Sequence, residues 1–162
     1  MNHALNDSGV FMTVSDELLR SGLGLRFRAY GSSMHPTIRS DESITVVPIK
    51  PQQIKQGDII LYRTPFGSVM AHRVIGIDQG ADALHFITRG DAATDCDRPV
   101  GAEQVLGKVI SVERKGTQHK LTGLNSRLRQ ATRLRASQLK MYLPSRVRMA
   151  VRRFRETLRR GQ

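Results

Sequence analysis

The sequence predicts a mainly β domain of short antiparallel strands, with a short helix before it and a basic helical tail after it. Three observations carry this prediction. Six runs rich in β-branched or aromatic residues follow one another, separated by turns that contain Gly and Pro. No helical periodicity lies between these runs, which is typical of antiparallel rather than α/β architecture. After Lys120 the periodicity becomes helical and the charge becomes strongly positive.

The first predicted element is a short N-terminal helix. Asp16 and Glu17 follow Ser15, and acidic residues near the start of a helix stabilise it because they face the positive end of its dipole. Gly22 and Gly24 end the segment.

The predicted strands occupy the middle of the chain. The segments between them contain turn residues and no helical pattern, so neighbouring strands are expected to pair antiparallel. The strands are predicted at residues 25–30, 44–49, 58–63, 69–77, 84–88 and 105–113.

The positive charge is concentrated in the tail. Residues 1–120 hold 14 Lys and Arg against 13 Asp and Glu, whereas residues 121–162 hold 12 against one. Apolar residues recur at helical spacing in the tail, and Pro144 divides it into two helices. We therefore predict a β domain over 1–120 and a basic amphipathic helical tail over 121–162.

Three partners fit such a tail. Its apolar stripe can pack on the β domain with the arginines in water. It can instead lie on an anionic membrane surface, where lipid attraction and apolar insertion add. Nucleic acid is less favoured, because Tyr142 and Phe154 are the only aromatic residues of the tail that could stack on bases.

The sequence also bears on the compartment. Cys96 is the only cysteine, so no intrachain disulfide forms and nothing indicates an oxidising environment. We find neither a signal peptide nor an apolar run of about 18 residues that could span a membrane. We therefore expect a cytoplasmic protein, whose membrane contact, if any, is peripheral and on the inner face.

A serine turn follows the first predicted strand, in the segment Gly31-Ser32-Ser33-Met34-His35-Pro36. A nucleophilic serine requires a sharp exposed turn, at which backbone N–H groups can face a developing oxyanion. Gly31 permits unusual backbone angles there. Taken alone, however, such a turn is more often an ordinary loop.

Two further segments could supply partners for this serine. His72 lies within the fourth predicted strand, and a neutral imidazole can accept a serine proton near neutral pH. Strand alternation places His72 on the face of Val74 and opposite Arg73; an exposed polar position is the simpler reading.

The second of these segments is an acidic cluster, in which Asp91, Asp95 and Asp97 lie within seven residues. One of these acids could orient a histidine, although a solvated turn has the same composition. Calcium is not favoured, because the spacing lacks the glutamate at the twelfth position of a calcium-binding loop. We expect no metal and no cofactor.

In order and spacing, four segments resemble a known family: Ser33-Met34-x-Pro36, Gly57-Asp58-Ile59-Ile60, His72-Arg73-Val74, and Gly90-Asp91 with Asp97 six residues later. They look like the signal peptidase I family, and more broadly the peptidase clan that includes the LexA-like self-cleaving repressors. The resemblance covers residues 25–113. It implies an antiparallel β catalytic core and a serine endopeptidase that acts on a peptide or protein.

Members of this family divide by their general base. Most bacterial members use lysine, whereas the endoplasmic-reticulum and archaeal members use a histidine followed by Arg-Val. No lysine occurs between Lys55 and Lys108, so the chain is similar to the Ser–His subtype, with His72 as the base.

The resemblance also implies the remaining roles. Ser33 would be the nucleophile, Asp97 the acid that orients the base, and Asp91 a supporting acid. Backbone N–H groups of Ser33 and its neighbours Ser32 and Met34 would bind the oxyanion and the substrate.

Three departures separate this chain from typical family members. Many signal peptidases carry a serine two positions before the nucleophile, and Gly31 stands there. Membrane-bound members have a transmembrane anchor and cut exported preproteins on the far side of the membrane, and we expect neither an anchor nor export here. The resemblance therefore predicts the chemistry of the site but not its substrate.

Two other function classes stay open on the sequence alone. A non-catalytic module could bind membrane or nucleic acid through the arginine-rich tail. A self-cleaving regulator would need a DNA-binding domain and a scissile linker upstream of the nucleophile, and the 32 residues before Ser33 are too few for both.

Overall fold

The computed structural model describes residues 3–80 and 83–121. This part of the chain is mainly antiparallel β, which confirms the predicted fold class at that level. The described residues belong to one compact unit, Met1–Gly123. The predicted helices of the basic tail lie outside the described residues.

One α-helix precedes eight strands in the described chain. The helix, α1, is longer than the sequence indicated and spans His3–Arg20. The strands are β1 (Leu25–Ala29), β2 (Glu42–Val47), β3 (Ile59–Arg63), β4 (Val69–Gln79), β5 (Leu84–Arg89), β6 (Val100–Gly101), β7 (Val105–Arg114) and β8 (Thr117–Lys120).

All eight strands belong to one curled sheet. Its order is β1-β2-β7-β3-β4-β5-β6, and every neighbouring pair is antiparallel. One edge of the long strand β7 pairs first with β3 and then with β8. This topology places β3, β4 and β5 side by side, and these three strands carry much of the site described below.

The sheet buries apolar side chains on both of its faces. Alternate residues of β3 enter opposite clusters, as the pleat of a strand requires: Ile59 and Leu61 pack in the cluster that includes Leu19 of α1, whereas Ile60 and Tyr62 pack in the other. Full burial of each such aliphatic side chain stabilises the fold by about 1.5–3 kcal/mol. Strands buried on both faces are rigid supports for functional side chains.

The described α1 helix lacks an apolar run long enough to cross a membrane, and the same holds for the short 3-10 helices Pro51–Gln53 and Ala102–Gln104.

Candidate active site

Ser33 lies in the turn that joins β1 to β2. Gly31 opens this turn with a φ of 110°, a backbone conformation that is strained for any residue with a β-carbon. Met34 and Ile38 are buried in the cluster beneath α1. These two apolar anchors fix the turn, and the Ser33 residue between them and Gly31 remains exposed.

His72 lies in the middle of β4, between β3 and β5. It is only 4% exposed, and Ile60 of β3 lies directly opposite it in the sheet. The ring of Tyr62 packs edge-on to the imidazole, with 6.3 Å between ring centroids. A ring buried on a central strand has few alternative rotamers, so its two nitrogens point in fixed directions.

Ser33, His72 and Asp97 form a continuous hydrogen-bonded chain. His72 Nε2 lies 2.9 Å from Ser33 Oγ, and His72 Nδ1 lies 2.6 Å from Asp97 Oδ2. A carboxylate can only accept, so Nδ1 carries the proton in this arrangement and Nε2 is left to accept the serine O–H. This is the geometry by which a general base activates a serine nucleophile.

The Asp97 carboxylate is held by more than the histidine. Thr88 Oγ1 of β5 donates to Asp97 Oδ2 at 2.8 Å, and the Tyr62 hydroxyl of β3 donates to the same oxygen at 3.2 Å. The Asp97 N–H also donates to the Thr88 carbonyl at 2.9 Å. These bonds fasten the loop that follows β5 to the strands carrying His72 and its neighbours.

The Tyr62 hydroxyl, which donates to Asp97, has a raised pKa. Burial is the main cause that raises the pKa of Tyr62 to about 12. The negative charge of Asp97 and the hydrogen bond to it act in the same direction, whereas the hydrogen bond with Thr88 opposes them. The phenol therefore stays protonated at neutral pH.

This raised pKa gives a direct spectroscopic prediction. A titration of tyrosinate absorbance should contain a component near pH 12 that disappears in Tyr62→Phe. Because the folded-state pKa lies above the usual 10.0, the stability that this proton contributes is complete below about pH 10 and is lost as the pH rises through about 12. The difference in unfolding free energy between wild type and Tyr62→Phe should shrink over that interval. An unchanged high-pH absorbance component in the variant would contradict the assignment.

Asp91, the expected supporting acid, forms an ion pair with Arg73. Arg73 binds both of its oxygens, with Nε–Oδ1 and Nη2–Oδ2 distances of 2.7 Å each, and the Thr37 hydroxyl donates to Oδ2. Arg73 Nη1 also donates to the Gly57 carbonyl at 2.8 Å. Both ring nitrogens of His72 are already bound by other groups, so we assign Asp91 to this ion pair rather than to orienting the imidazole.

The ion pair supports Ser33 indirectly, through the loop after β5. The Ala92 N–H donates to the Ser33 carbonyl at 2.8 Å. Gly90 lies so close that a β-carbon there would stand 2.7 Å from the Ser33 carbonyl oxygen, so only glycine fits. Asp91 lies between Gly90 and Ala92 in the chain. By binding Asp91, Arg73 therefore holds this loop against the backbone of Ser33.

Breaking this ion pair should destabilise the fold strongly. The side chains of Arg73 and Asp91 are only 9% and 10% exposed, and Asp91→Asn would leave a buried guanidinium without its counter-charge. We expect a loss of about 3–5 kcal/mol in the free energy of unfolding, measured by chemical denaturation.

The matched control is Asp41→Asn, which removes the acid of a solvent-exposed pair with Arg28. Water screens that pair, so no measurable change is expected. Equal stabilities of Asp91→Asn and Asp41→Asn would show that the Arg73–Asp91 pair does not hold the loop as described.

The three residues expected to bind the oxyanion, Ser32, Ser33 and Met34, lie in different surroundings. The Met34 side chain is buried in the core. The Ser32 residue is exposed, and its carbonyl accepts from the His35 N–H at 3.1 Å. Within residues 3–80 and 83–121, no acceptor binds the Ser33 N–H, which leaves this donor available to an oxyanion. The left-handed φ of Gly31 explains why no serine stands at that position.

Two residues of the site had no signal in the sequence. Tyr62 and Thr88 read simply as a buried aromatic and a β-branched strand residue. Only the pairing of β3 with β4 and of β4 with β5 brings their hydroxyls to Asp97. Among the described residues, no group of His, Cys, Asp and Glu side chains is arranged to hold a metal ion.

The chain matches no protein family model. A search of curated proteins likewise finds no matching protein.

Proposed function

We propose that this chain is a serine endopeptidase of the signal peptidase type, working through Ser33, His72 and Asp97. The observation that carries the proposal is the hydrogen-bonded chain from Ser33 Oγ through both nitrogens of His72 to Asp97. The mainly antiparallel β fold is compatible with a signal-peptidase-like core. The order of the four sequence segments supports the same assignment.

The proposed reaction begins with attack of Ser33 Oγ on a peptide carbonyl. His72 Nε2 takes the serine proton as the new C–O bond forms, and Asp97 stabilises the resulting imidazolium. The imidazolium then protonates the leaving amine as the C–N bond breaks. A water molecule, deprotonated by His72, hydrolyses the acyl-enzyme and restores the serine.

The negative charge that develops on the carbonyl oxygen needs fixed donors. The backbone N–H of Ser33 is the donor that the described geometry best supports, because no described acceptor binds it and the turn that carries it is anchored by Met34 and Ile38. A single preorganised donor of this kind contributes about 10²–10³-fold to turnover. Ser32 is the neighbouring candidate for a second contact.

Hydrolysis can be tested before a natural substrate is identified. A mixture of synthetic peptides is incubated with the protein in water enriched in ¹⁸O, and the products are read by mass spectrometry. Hydrolysis should place ¹⁸O in each new carboxyl terminus with the wild-type protein and not with His72→Ala. The same products from both proteins would indicate a contaminating protease. Absence of cleavage by the wild type, across a mixture that samples all residue types at the scissile bond, would count against endopeptidase activity and favour the non-catalytic alternative.

The self-cleaving alternative makes a different prediction for the same samples. A self-cleaving regulator would convert its own intact mass into two fragments and leave the peptides unchanged. The proposed peptidase should keep its intact mass while the peptides are cut.

We propose a second property for the basic tail: residues 121–162 hold the protein on an anionic lipid surface. The observation that favours this is the segregation of charge, with 12 basic residues against one acidic residue in the tail and near balance in the rest. Each basic residue near such a surface contributes about 1 kcal/mol at physiological ionic strength.

Vesicle co-sedimentation tests the tail. Full-length protein should bind vesicles that contain phosphatidylserine, should not bind neutral phosphatidylcholine vesicles, and should dissociate as the salt concentration rises. A full-length variant in which Arg146, Arg148, Arg152, Arg153 and Arg155 are replaced by glutamine should lose binding. Equal binding to both vesicle types, or tighter binding to a DNA duplex than to anionic vesicles, would contradict the lipid assignment.

A further inference from the structure

We propose that Tyr62 and Thr88 are positioning residues of the site, whose hydroxyls hold Asp97 in the orientation that fixes the His72 imidazole. This inference rests on the proposed function and deepens it. It extends the site from a chain of three residues to a network of five residues that spans three adjacent strands.

The proposal starts from the crowding of donors on one oxygen. Asp97 Oδ2 accepts from His72 Nδ1 at 2.6 Å, from Thr88 Oγ1 at 2.8 Å and from the Tyr62 hydroxyl at 3.2 Å. Three donors arriving from different directions determine where that oxygen sits. Because Asp97 lies on a loop rather than on a strand, its backbone alone cannot fix the carboxylate to this degree.

The donors themselves are fixed by the sheet. Tyr62 pairs with Met70, two residues before His72 on β4, and Thr88 pairs with Val74, two residues after it. Side chains at such positions share one face of a sheet, so the two hydroxyls flank the histidine along the strand. Thr88 is fully buried and Tyr62 is 4% exposed.

Asp97 is the charged group that the described hydrogen bonds bring to His72. The described contacts bring it Asp97 from the loop after β5, Tyr62 from β3 and the hydroxyl of Ser33 from the turn after β1. Arg73 of β4 points to the opposite face, where Asp91 neutralises it. A change in the Asp97 network should therefore reach the imidazole directly, through the Nδ1–Oδ2 contact.

The alternative is a purely structural role, in which the two buried hydroxyls bind Asp97 only because buried polar groups need hydrogen-bond partners. That role predicts a loss of stability when a hydroxyl is removed, but no change in the histidine ring. A positioning role predicts in addition that the proton leaves Nδ1 more readily, because the acceptor that holds it has moved. The two roles differ in the state of the His72 ring and not in the stability of the fold.

Two substitutions remove one hydroxyl each while preserving the volume of the side chain: Tyr62→Phe and Thr88→Val. Their matched controls are Tyr30→Phe, which removes a hydroxyl from a tyrosine that is 77% exposed, and Thr88→Ser, which keeps the hydroxyl. If Tyr62→Phe failed to fold, the comparison of Thr88→Val with Thr88→Ser would still decide the question.

The first readout is the His72 ring in full-length protein labelled with ¹⁵N-histidine. In the wild type, the ¹⁵N shifts should report a single tautomer with the proton on Nδ1, and this proton should exchange slowly with water. Tyr62→Phe and Thr88→Val should each accelerate that exchange by roughly 10-fold, since a hydrogen bond to a charged group has been lost. Tyr30→Phe and Thr88→Ser should resemble the wild type.

The second readout is the rate at which a fluorophosphonate probe labels Ser33, which should fall by roughly 10-fold in the same two variants. Wild-type tautomer and proton exchange in both variants would overturn the positioning role, whatever the labelling rate. Altered exchange in a protein whose wild type is not labelled would instead leave the network in place and overturn the proposed peptidase function.

Discussion

Replacing Ser33 by alanine should abolish turnover while leaving the fold intact. Removal of a serine nucleophile lowers kcat by roughly 10⁵–10⁶-fold, because the acyl-enzyme cannot form and only substrate binding and oxyanion stabilisation remain. Ser33 is exposed, so loss of its hydroxyl removes no packed atoms from the core. The variant should therefore unfold at the same denaturant concentration as the wild type. The measurement is the hydrolysis rate of any peptide that the wild-type protein cleaves.

The matched control for this change is Ser32→Ala. Ser32 is also exposed and stands next to Ser33 in the same turn, but it has no hydrogen bond to His72 among those that the described residues form. It should keep activity within about 10³-fold of the wild type even if its hydroxyl contacts the oxyanion. If Ser32→Ala were inactive and Ser33→Ala remained active, Ser33 would not be the nucleophile.

Replacing Asp97 by asparagine should lower kcat by about 10⁴-fold. An asparagine amide can donate to His72 Nδ1, which would move the ring proton to Nε2 and leave no lone pair to accept the serine proton. The carboxamide is close in size to the carboxylate, so the packing of the site should be preserved, but an amide nitrogen at the Oδ2 position can no longer accept from Tyr62 and Thr88. Turnover measured beside ¹⁵N shifts of the imidazole would show the loss of activity and the change of tautomer in the same sample.

Asp95→Asn is the control for charge in the same loop. Asp95 is exposed and is hydrogen-bonded to Thr94 rather than to the histidine, so its activity should stay within a few-fold of the wild type. Equal activity losses in Asp95→Asn and Asp97→Asn would show that the net charge of the loop matters and that the contact with His72 does not.

Most of the sheet could be predicted from the sequence, because strands that are buried in a core are rich in apolar residues. The six predicted strands all occur, since each carries apolar residues that pack in one of the two clusters. The strand β8 was missed because its residues Thr117–Lys120 are all exposed and lack an apolar face. The strand β6 was missed because two residues are too short for any periodicity.

The site was predictable to the extent that its members have distinctive chemistry. A serine in a glycine-opened turn, a histidine within a strand and an acidic loop each suggest catalysis only in combination, and their order in the chain supplied that combination. The division of labour between Asp91 and Asp97 could not be read from spacing, because it depends on which strand face each carboxylate meets. Arg73 and His72 are adjacent in β4 and project to opposite faces, so each takes a different acid.

The most direct test of the central claim is the site of covalent modification by a fluorophosphonate probe. Wild-type protein is treated with the probe, digested and examined by tandem mass spectrometry. The proposed site predicts one adduct, on Ser33, whose formation is lost when the protein is unfolded before labelling and is strongly slowed in His72→Ala. An adduct on another residue, or labelling of Ser33 at the same rate in native, unfolded and His72→Ala protein, would contradict a Ser33–His72 catalytic site.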